Sequence, residues 1–159
     1  MTTSQSQSRG NRDRNSTPIS SKPMELVPLA TMTATLLHPF ELSGTPVGNR
    51  LIFEVESGAI EGERIRARLK GRAAADWLAV GPDGTGTIDV RALVETDDGA
   101  LVFIQYQGRV DANSPSGPVY IAPKFETGDE RYRWLNRVQA VGKGFFDGTT
   151  LTYELCEVR

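Results

Sequence analysis

The chain has 159 residues, a net charge of -2 and 38% hydrophobic residues, which fits one domain with a core of its own. A single cysteine excludes an internal disulfide, and a single histidine argues against a histidine-rich metal site or a histidine-based catalytic triad. No apolar run approaches the roughly 20 residues that cross a bilayer, and no secretory signal is evident. We therefore expect a cytoplasmic protein without a membrane partner.

The first 23 residues differ in composition from the rest. Ser, Thr, Gln, Asn and Arg dominate there, so burial cannot offset the entropy of ordering. We expect residues 1–23 to form a disordered tail and residues 24–159 to form the folded domain. Residues 1–22 hold four basic side chains and one acidic one, which leaves 14 basic and 19 acidic residues and a charge of -5 in the remainder. That sign argues against nucleic acid as a partner, because phosphate contacts need clustered cations.

Short alternating or threonine-rich segments, bounded by Gly, Pro and Asp, predict strands along the whole domain. Outside the central hairpin described below, they are Leu29–Leu37, Arg50–Glu56, Ile65–Leu69, Val119–Phe125, Arg137–Phe146 and Thr149–Val158. Glycines and a proline predict a loop at Glu41–Asn49. Ala59–Glu61 fits either a short strand or the start of a bulge, and Arg72–Val80 fits either a helical turn or an irregular strand.

Two local signals qualify the second half of the domain. Pro123 cannot donate a backbone hydrogen bond, so its strand is expected to be an edge strand or to contain a bulge. Thr127 and Glu130 have the spacing of a capping box, in which each side chain takes a backbone N–H of the first helical turn. This spacing predicts a short helix through Arg131–Asn136.

The stretch Thr87–Gly108 predicts a β-hairpin, because Asp98-Gly99 is a favoured two-residue turn. A two-residue turn sets the register and places Arg91 opposite Tyr106. One face of the hairpin would then mix polar and aliphatic groups, as a ligand pocket does. That face carries Asp89, Arg91, Leu93, Ile104 and Tyr106. The other face is apolar and would serve for packing.

The predicted elements give eight or nine strands and one short helix, with connections that are mostly hairpin-like. We therefore expect an all-β fold, a mostly antiparallel barrel or sandwich. A closed barrel leaves no exposed edges, and at about eight strands its interior holds side chains or one small ligand.

Several motifs, taken together and in order, resemble one family of β-barrel proteins. They are Ala75-Asp76-Trp77-Leu78, Gly81-Pro82-Asp83-Gly84, Asp89-Val90-Arg91, Thr96-Asp97-Asp98-Gly99-Ala100, Tyr106-Gln107-Gly108, Phe125-Glu126-Thr127 and Tyr132-Arg133-Trp134-Leu135-Asn136. The family is the one catalogued as domain of unknown function 3237. The resemblance spans roughly Leu29 to Val158 and implies a single antiparallel barrel with a central cavity. Allene-oxide-cyclase-like, dirigent-like and calycin-like barrels are the structural analogues.

The polar face of the hairpin is the first candidate site. In the catalytic interpretation Arg91 holds an enolate, carboxylate or phenolate oxygen, Asp89 shifts a proton or orients Arg91, and Tyr106 donates a hydrogen bond to developing charge. In the structural interpretation the same residues form a solvated salt bridge, with the guanidinium over the tyrosine ring. The sequence leaves both interpretations open.

Seven further residues are candidates for binding a substrate, each with a structural alternative. They are Asp76, Trp77, Leu93, Ile104, Glu126, Trp134 and Asn136. Asp76 and Trp77 form a second candidate site, or else a loop-capping acid beside a core indole. Glu126 either faces the pocket or braces the turn before the helix. Trp134 is expected in the core, on a helix that plugs one end of the barrel, and Asn136 is a candidate C-cap.

These observations predict a cofactor-independent enzyme that acts on a small aromatic or polyketide-like molecule by isomerase, cyclase or lyase chemistry. The acidic turns lack the spacing of a twelve-residue calcium loop, so no metal is expected. Two alternatives remain: a non-catalytic carrier of such a molecule, and a structural subunit of a homo-oligomer whose apolar hairpin face is buried between protomers. Cys156 is expected to be a buried, unreactive thiol.

Overall fold

The computed structural model describes residues 22–159, in which nine strands and one 3₁₀ helix follow one another. The strands are β1 Leu26–Leu36, β2 Phe40–Thr45, β3 Gly48–Glu61, β4 Arg66–Val80, β5 Thr85–Thr96, β6 Leu101–Asp111, β7 Val119–Glu126, β8 Ala140–Phe146 and β9 Thr150–Val158. The helix, Glu130–Arg137, lies between β7 and β8.

Strand β1 closes the sheet into a barrel, because it pairs with β9 along one edge and with β3 along the other. Met32, for example, lies opposite Tyr153 on one side and Ile60 on the other. Eight strands form the closed antiparallel barrel, and β2 is an extra strand that pairs with β3 alone. The predicted all-β antiparallel barrel of about eight strands with one short helix is therefore confirmed.

The two ends of the barrel are filled differently. At one end the 3₁₀ helix lies across the interior and inserts Leu135, which is fully buried, next to a core that includes Val102 and Ala140. At the other end the strands leave a pocket, which is described below. The helix thus plugs one end of the barrel, as predicted, although the inserted side chain is Leu135 and not Trp134.

The structure corrects the predicted secondary structure of one segment and decides between the alternatives that the sequence left open for two others. The predicted loop at Glu41–Asn49 is wrong: most of it belongs to β2 and to the start of β3, joined by a tight turn after Thr45. Gly48, with φ of 100°, allows that turn because a glycine adopts positive φ without strain. Ala59–Glu61 continues β3 after a register shift, and Arg72–Val80 belongs to β4, which is an irregular strand.

The predicted register of the central hairpin is wrong by one residue. The loop contains three residues, Asp97–Gly99, and is closed by Thr96, whose N–H donates to the Ala100 carbonyl at 2.9 Å. Gly99 has φ of 88°, which suits the last position of a three-residue hairpin loop. The extra residue moves Tyr106 from opposite Arg91 to opposite Val90 and so to the other face of the sheet.

The helix extends one residue beyond the predicted range at each end, so Arg137 belongs to it and not to the following strand, and its cap differs from the predicted capping box. Its N-cap is Asp129, whose carboxylate accepts from the Arg131 N–H at 3.0 Å. The Thr127 hydroxyl instead donates to the Leu101 carbonyl at 2.7 Å, so it ties the β7 end to β6. The prediction of a short helix here is confirmed, and its proposed cap is wrong.

Pro123 lies in the part of β7 that pairs with β6 but not with β8. Strand β7 pairs with β6 from Tyr120 to Glu126 but with β8 only from Val119 to Ile121. The residue without an N–H therefore lies where β7 has an open edge towards β8, as its chemistry requires. The predicted edge character of this segment is confirmed.

Most of the predicted tail, residues 1–21, lies outside the described residues, and Lys22 and Pro23 precede β1 without regular structure. In the described range, no helix is long and apolar enough to cross a membrane. The cytoplasmic location stays a prediction.

Gly144 makes room for the largest fully buried side chain, Tyr153. The two residues lie opposite each other on β8 and β9. A Cβ at Gly144 would lie 2.4 Å from the Tyr153 ring and 2.6 Å from the Thr152 carbonyl oxygen. The position of the tyrosine therefore depends on the absence of a side chain at residue 144.

We expect Gly144→Ala to lower the free energy of unfolding by about 1–3 kcal/mol, because the methyl group overpacks the barrel. Gly128→Ala is the matched control, since nothing lies within 4 Å of a Cβ there. Urea denaturation measures both variants. Equal stability of the two would contradict the packing described for Tyr153.

Candidate functional site

The open end of the barrel contains one buried acid among apolar side chains. Asp76 lies on β4 opposite Val90, and the residue is only 7% exposed. It lines a pocket of about 100 Å³. The other lining residues are apolar and come from all eight barrel strands: Leu36, Phe53, Leu78, Ile88, Val110, Val119, Phe146 and Leu151. This volume would hold several waters or the reactive part of a small molecule.

A backbone donor holds the Asp76 carboxylate in place. The ladder between β4 and β5 is interrupted between the pairs Asp76–Val90 and Ala79–Thr87. At this interruption the Asp89 N–H donates to Oδ1 of Asp76 at 3.2 Å. One carboxylate oxygen thus replaces part of the ladder, and the carboxyl group stays fixed at the wall of the pocket.

Burial raises the pKa of Asp76 from 3.8 to about 6. Desolvation is the main cause, because an ionised carboxylate loses its hydration among apolar side chains. The hydrogen bond from the Asp89 N–H opposes the shift, and the negative charge of the Asp89 side chain adds to it. Near neutral pH, Asp76 can therefore both donate and accept a proton, as a general acid or base requires.

Two tyrosines lie deeper in the barrel than the acid. The rings of Tyr106 and Tyr153 meet edge to face, with centroids 6.2 Å apart and an interplanar angle of 67°. Burial raises the pKa of both phenols well above the usual value, and the charge of Asp76 contributes in each case. Both hydroxyl groups therefore stay protonated at neutral pH and can act as hydrogen-bond donors.

A second, smaller cavity of about 40 Å³ lies on the far side of Tyr106. Its walls are almost wholly apolar and include Val90, Val94 and Ile104. Tyr106 lines this inner cavity and Asp76 lines the outer pocket. The tyrosine therefore lies between the open half of the barrel and its filled half.

The predicted catalytic trio does not come together. Tyr106 points into the barrel, whereas Asp89 and Arg91 lie on the outer face of β5, with exposed side-chain fractions of 31% and 49%. The Arg91 Nη1 lies 3.7 Å from the Asp89 Oδ2, which is an ion pair too long for a hydrogen bond. The one-residue error in the hairpin register explains the separation. The catalytic roles of Asp89 and Arg91 would need an external site.

The seven predicted binding residues are divided between the two faces of the sheet. Asp76 and Ile104 point into the barrel. Trp77 and Leu93 line an outer groove, and Glu126 is exposed on β7. These last three residues are not in the barrel pocket.

The two helix residues among the predicted set have structural contacts. The ring of Trp134 is partly buried beneath the Arg64 guanidinium, whose central carbon lies 3.6 Å from the ring centroid. The Asn136 side chain accepts from the Thr127 N–H and donates to the Thr127 carbonyl, each at 2.9 Å. Asn136 thus braces the turn before the helix and is not its C-cap, which is Val138.

Tyr153 was not among the predicted site residues. The alternation of Leu151, Tyr153 and Leu155 in the last strand is the signal that could have identified it, because it places all three on one face. Cys156, on the other face, is only partly buried, so the expectation of a buried thiol is wrong. In the described part of the chain, no group of three His, Cys, Asp or Glu side chains is placed to hold a metal ion.

A groove of about 610 Å³ lies on the outer wall beside the loop of residues 112–118. Its acids are engaged in turns: Asp83 accepts from the Thr85 N–H and Asp111 from the Asn113 N–H, both at 2.9 Å. The groove is open to solvent and contains no buried titratable group. The much smaller pocket at Asp76 is therefore the better candidate for a catalytic site, because it contains a buried titratable group.

Comparisons with known proteins agree on the fold. The profile of the family described as "Protein of unknown function (DUF3237)" matches residues 24–158. A UPF0311 protein of Rhodopseudomonas palustris is 27% identical over 126 residues, which cover 70% of this chain and 82% of that protein. The crystal structure of a beta-barrel like protein from Acinetobacter baumannii is 29% identical, with a TM-score of 0.77, and covers 89% of this chain and 99% of the other.

Two further similarities are to fungal proteins. A hydroalkoxylation enzyme of Penicillium herquei is 36% identical over 62 residues, which cover 39% of this chain and 36% of that protein. The crystal structure of an enzyme from Penicillium herquei has a TM-score of 0.64 and 23% identity, and covers 89% of this chain and 100% of the other. The second similarity extends the barrel fold to a protein described as an enzyme.

The raised pKa of Asp76 predicts a pH-dependent loss of stability. Because the native state keeps this proton after the unfolded chain has released it, stability falls as the pH rises from about 4 to about 6 and then levels off. The full loss is about 3 kcal/mol. Asp76→Asn keeps the acceptor for the Asp89 N–H and removes the titration.

We therefore expect the unfolding free energy of Asp76→Asn, relative to the unsubstituted protein, to rise by about 3 kcal/mol between about pH 3 and about pH 7. Chemical denaturation across this range measures the difference. A difference independent of pH would show that Asp76 titrates alike in both states.

Proposed function

Because the chain belongs to the DUF3237 family and encloses a titratable acid in an apolar pocket, we propose that it is a small-molecule enzyme whose proton-transferring group is Asp76. The observation that carries the proposal is the Asp76 carboxyl group, 7% exposed and with a pKa of about 6, at the wall of the pocket. Strongly shifted carboxyl groups in clefts are typical of acid–base catalysts. A packing role alone would be served better by an apolar residue.

The proposed reaction is the intramolecular addition of an O–H group across a C=C double bond, which closes a ring. Protonated Asp76 gives its proton to one alkene carbon, so that a C–H bond forms and the π bond breaks. The hydroxyl oxygen then forms a C–O bond with the other carbon. The hydroxyl proton returns to the Asp76 carboxylate, which restores the acid for the next cycle.

The walls of the pocket restrict the reacting group to an uncharged, apolar one. Asp76 is the only ionisable residue among those that line it, and no cation is present to receive an anion. The volume of about 100 Å³ suits an alkenyl group, with the rest of the substrate at the mouth. The apolar surroundings also exclude water, which would otherwise compete with the hydroxyl group for the cation-like carbon.

The two tyrosines would act as fixed, neutral donors near the acid. Their raised pKa values keep Tyr106 and Tyr153 protonated through the cycle. A hydrogen bond from either hydroxyl group would stabilise the Asp76 carboxylate after it has lost its proton. In this proposal Tyr106 keeps the role of a hydrogen-bond donor, with Asp76 in place of Arg91 as its charged neighbour.

The comparisons support this chemistry at a coarse level. Hydroalkoxylation, the reaction in the name of the Penicillium relative, is the addition of an O–H group across a C=C double bond. One acid–base group can carry out both proton transfers of this addition. The similarity covers 39% of this chain, so it supports the class of reaction and does not identify a substrate.

We expect a panel of alkenyl phenols, with ortho-methallylphenol as the first member, to contain compounds that the protein converts to ring-closed isomers of equal mass. Asp76→Asn should lower the rate by about 10²–10⁴-fold, as is usual when a general acid is removed. Glu126→Gln, an equivalent change on the outer wall, should leave the rate unchanged. Gas chromatography with mass spectrometry separates substrate from product.

The pH dependence is a second readout of the same experiment. Since the protonated form of Asp76 begins the reaction, the rate should fall as the pH rises above about 6. Turnover that survives in Asp76→Asn would contradict the proposal. Panel compounds that bind in the pocket without forming product would support a carrier, and a panel that neither binds nor reacts would contradict both functions.

A further inference from the structure

We propose that an outer groove between β3, β4 and β5, separate from the barrel pocket, binds small aromatic carboxylates. The groove has a volume of about 400 Å³, which lies in the range of ligand sites. Its floor is formed by the small residues Ala73, Ala74, Ala75 and Ala92, of which Ala74 and Ala92 also line the inner cavity on the lumen side of the sheet. Its walls combine aromatic and charged groups, which are Trp77, Phe103, Arg72, Arg91 and Glu54.

Two register shifts create the groove. Strand β4 shifts against β5 between Leu69 and Ala74, and β3 shifts against β4 between Glu54 and Ala59. Both shifts fall on the stretch of β4 between Leu69 and Ala74, where regular pairing with both neighbours is interrupted and small alanine side chains follow. A flat ring can therefore lie against the sheet at this place, where larger side chains would fill the space.

The charges in the groove favour an anion. Arg72 and Arg91 face a single lining carboxylate, that of Glu54. In the described part of the chain neither guanidinium makes a hydrogen bond, and the nearest acid to Arg91 is Asp89 at 3.7 Å. The N–H donors of both arginines are thus available to a carboxylate, which a guanidinium binds through two parallel hydrogen bonds.

The aromatic walls favour a ring attached to that carboxylate. The central guanidinium carbon of Arg91 lies 6.0 Å from the centroid of the Trp77 ring. Trp77 and Phe103 are each partly exposed, so both present ring surface to the groove. A ligand ring that packs against them would place its carboxylate next to Arg91, which combines stacking with an ion pair.

This site lies on the opposite face of β4 from the proposed catalytic site, although the two are adjacent in sequence. Trp77 follows Asp76 directly, but alternation along β4 sends the acid into the barrel and the indole outwards. The proposal also gives Arg91 a role as an anion-binding residue on the surface.

The indole of Trp77 provides the signal for a binding test. The chain contains two tryptophans, so Trp134→Phe leaves Trp77 as the single indole fluorophore. In that background we expect 2-naphthoate to quench the fluorescence saturably. Arg91→Gln should weaken binding at least about tenfold, as expected for the loss of a hydrogen bond to a charged group. Arg109→Gln, an exposed arginine of another groove, should change it less than about twofold.

Two comparisons decide between an anion site and other uses of the groove. The neutral analogue 2-naphthamide should bind at least about tenfold more weakly than 2-naphthoate, and added salt should weaken only the carboxylate. Absence of saturable quenching, equal binding of the amide, or insensitivity to Arg91→Gln would overturn the proposal. Sedimentation that shows a dimer abolished by Arg91→Gln would also overturn it, because a second copy would then cover the groove.

Discussion

The pairing of β1 with both β9 and β3 is the constraint on which the rest of the structure depends. Only a closed sheet has an inside, so this double pairing turns the alternation of side chains along every strand into a division between lumen and surface. Asp76 becomes a buried acid and Trp77 a surface indole for this reason alone. Without the β1–β3 contacts the open half of the barrel would admit water, and the raised pKa of Asp76 would lose its cause.

The two halves of the barrel interior differ: apolar side chains that stabilise the fold fill one half, and the candidate site lies in the other. Leu135, Val102 and Ala140 are fully buried in the plugged half and carry no charge, and the cavity beyond Tyr106 measures only about 40 Å³. The open half keeps a carboxyl group that costs stability once it ionises, next to two phenols that burial keeps neutral. Strongly shifted carboxyl groups in clefts are typical of functional sites, which is why the proposed function rests on Asp76.

The strands and the barrel follow from local alternation and turn residues, which is why the sequence predicts them. The site does not follow from them, because a difference of one residue in the length of the hairpin loop decides which side chains face the lumen. Asp98-Gly99 fits both a two-residue and a three-residue loop, and only the Thr96–Ala100 contact selects the longer one. The sequence also does not show which face of the sheet Asp76 occupies, because the alanines before it give no alternation of polar and apolar side chains. Tyr106 was identified as a site residue, but it faces Asp76 in the lumen and not Arg91.

The outer groove and the lumen share β4, so one strand would present two ligand sites on its opposite faces. In the lumen, the closed barrel holds the Asp76 carboxyl group ready to exchange a proton near neutral pH. Carbon-13 NMR of the side-chain carboxyl groups, with the Asp76 signal assigned through Asp76→Asn, measures this directly. A titration midpoint of about 6 is the predicted result, and a midpoint near 3.8 would contradict the claim.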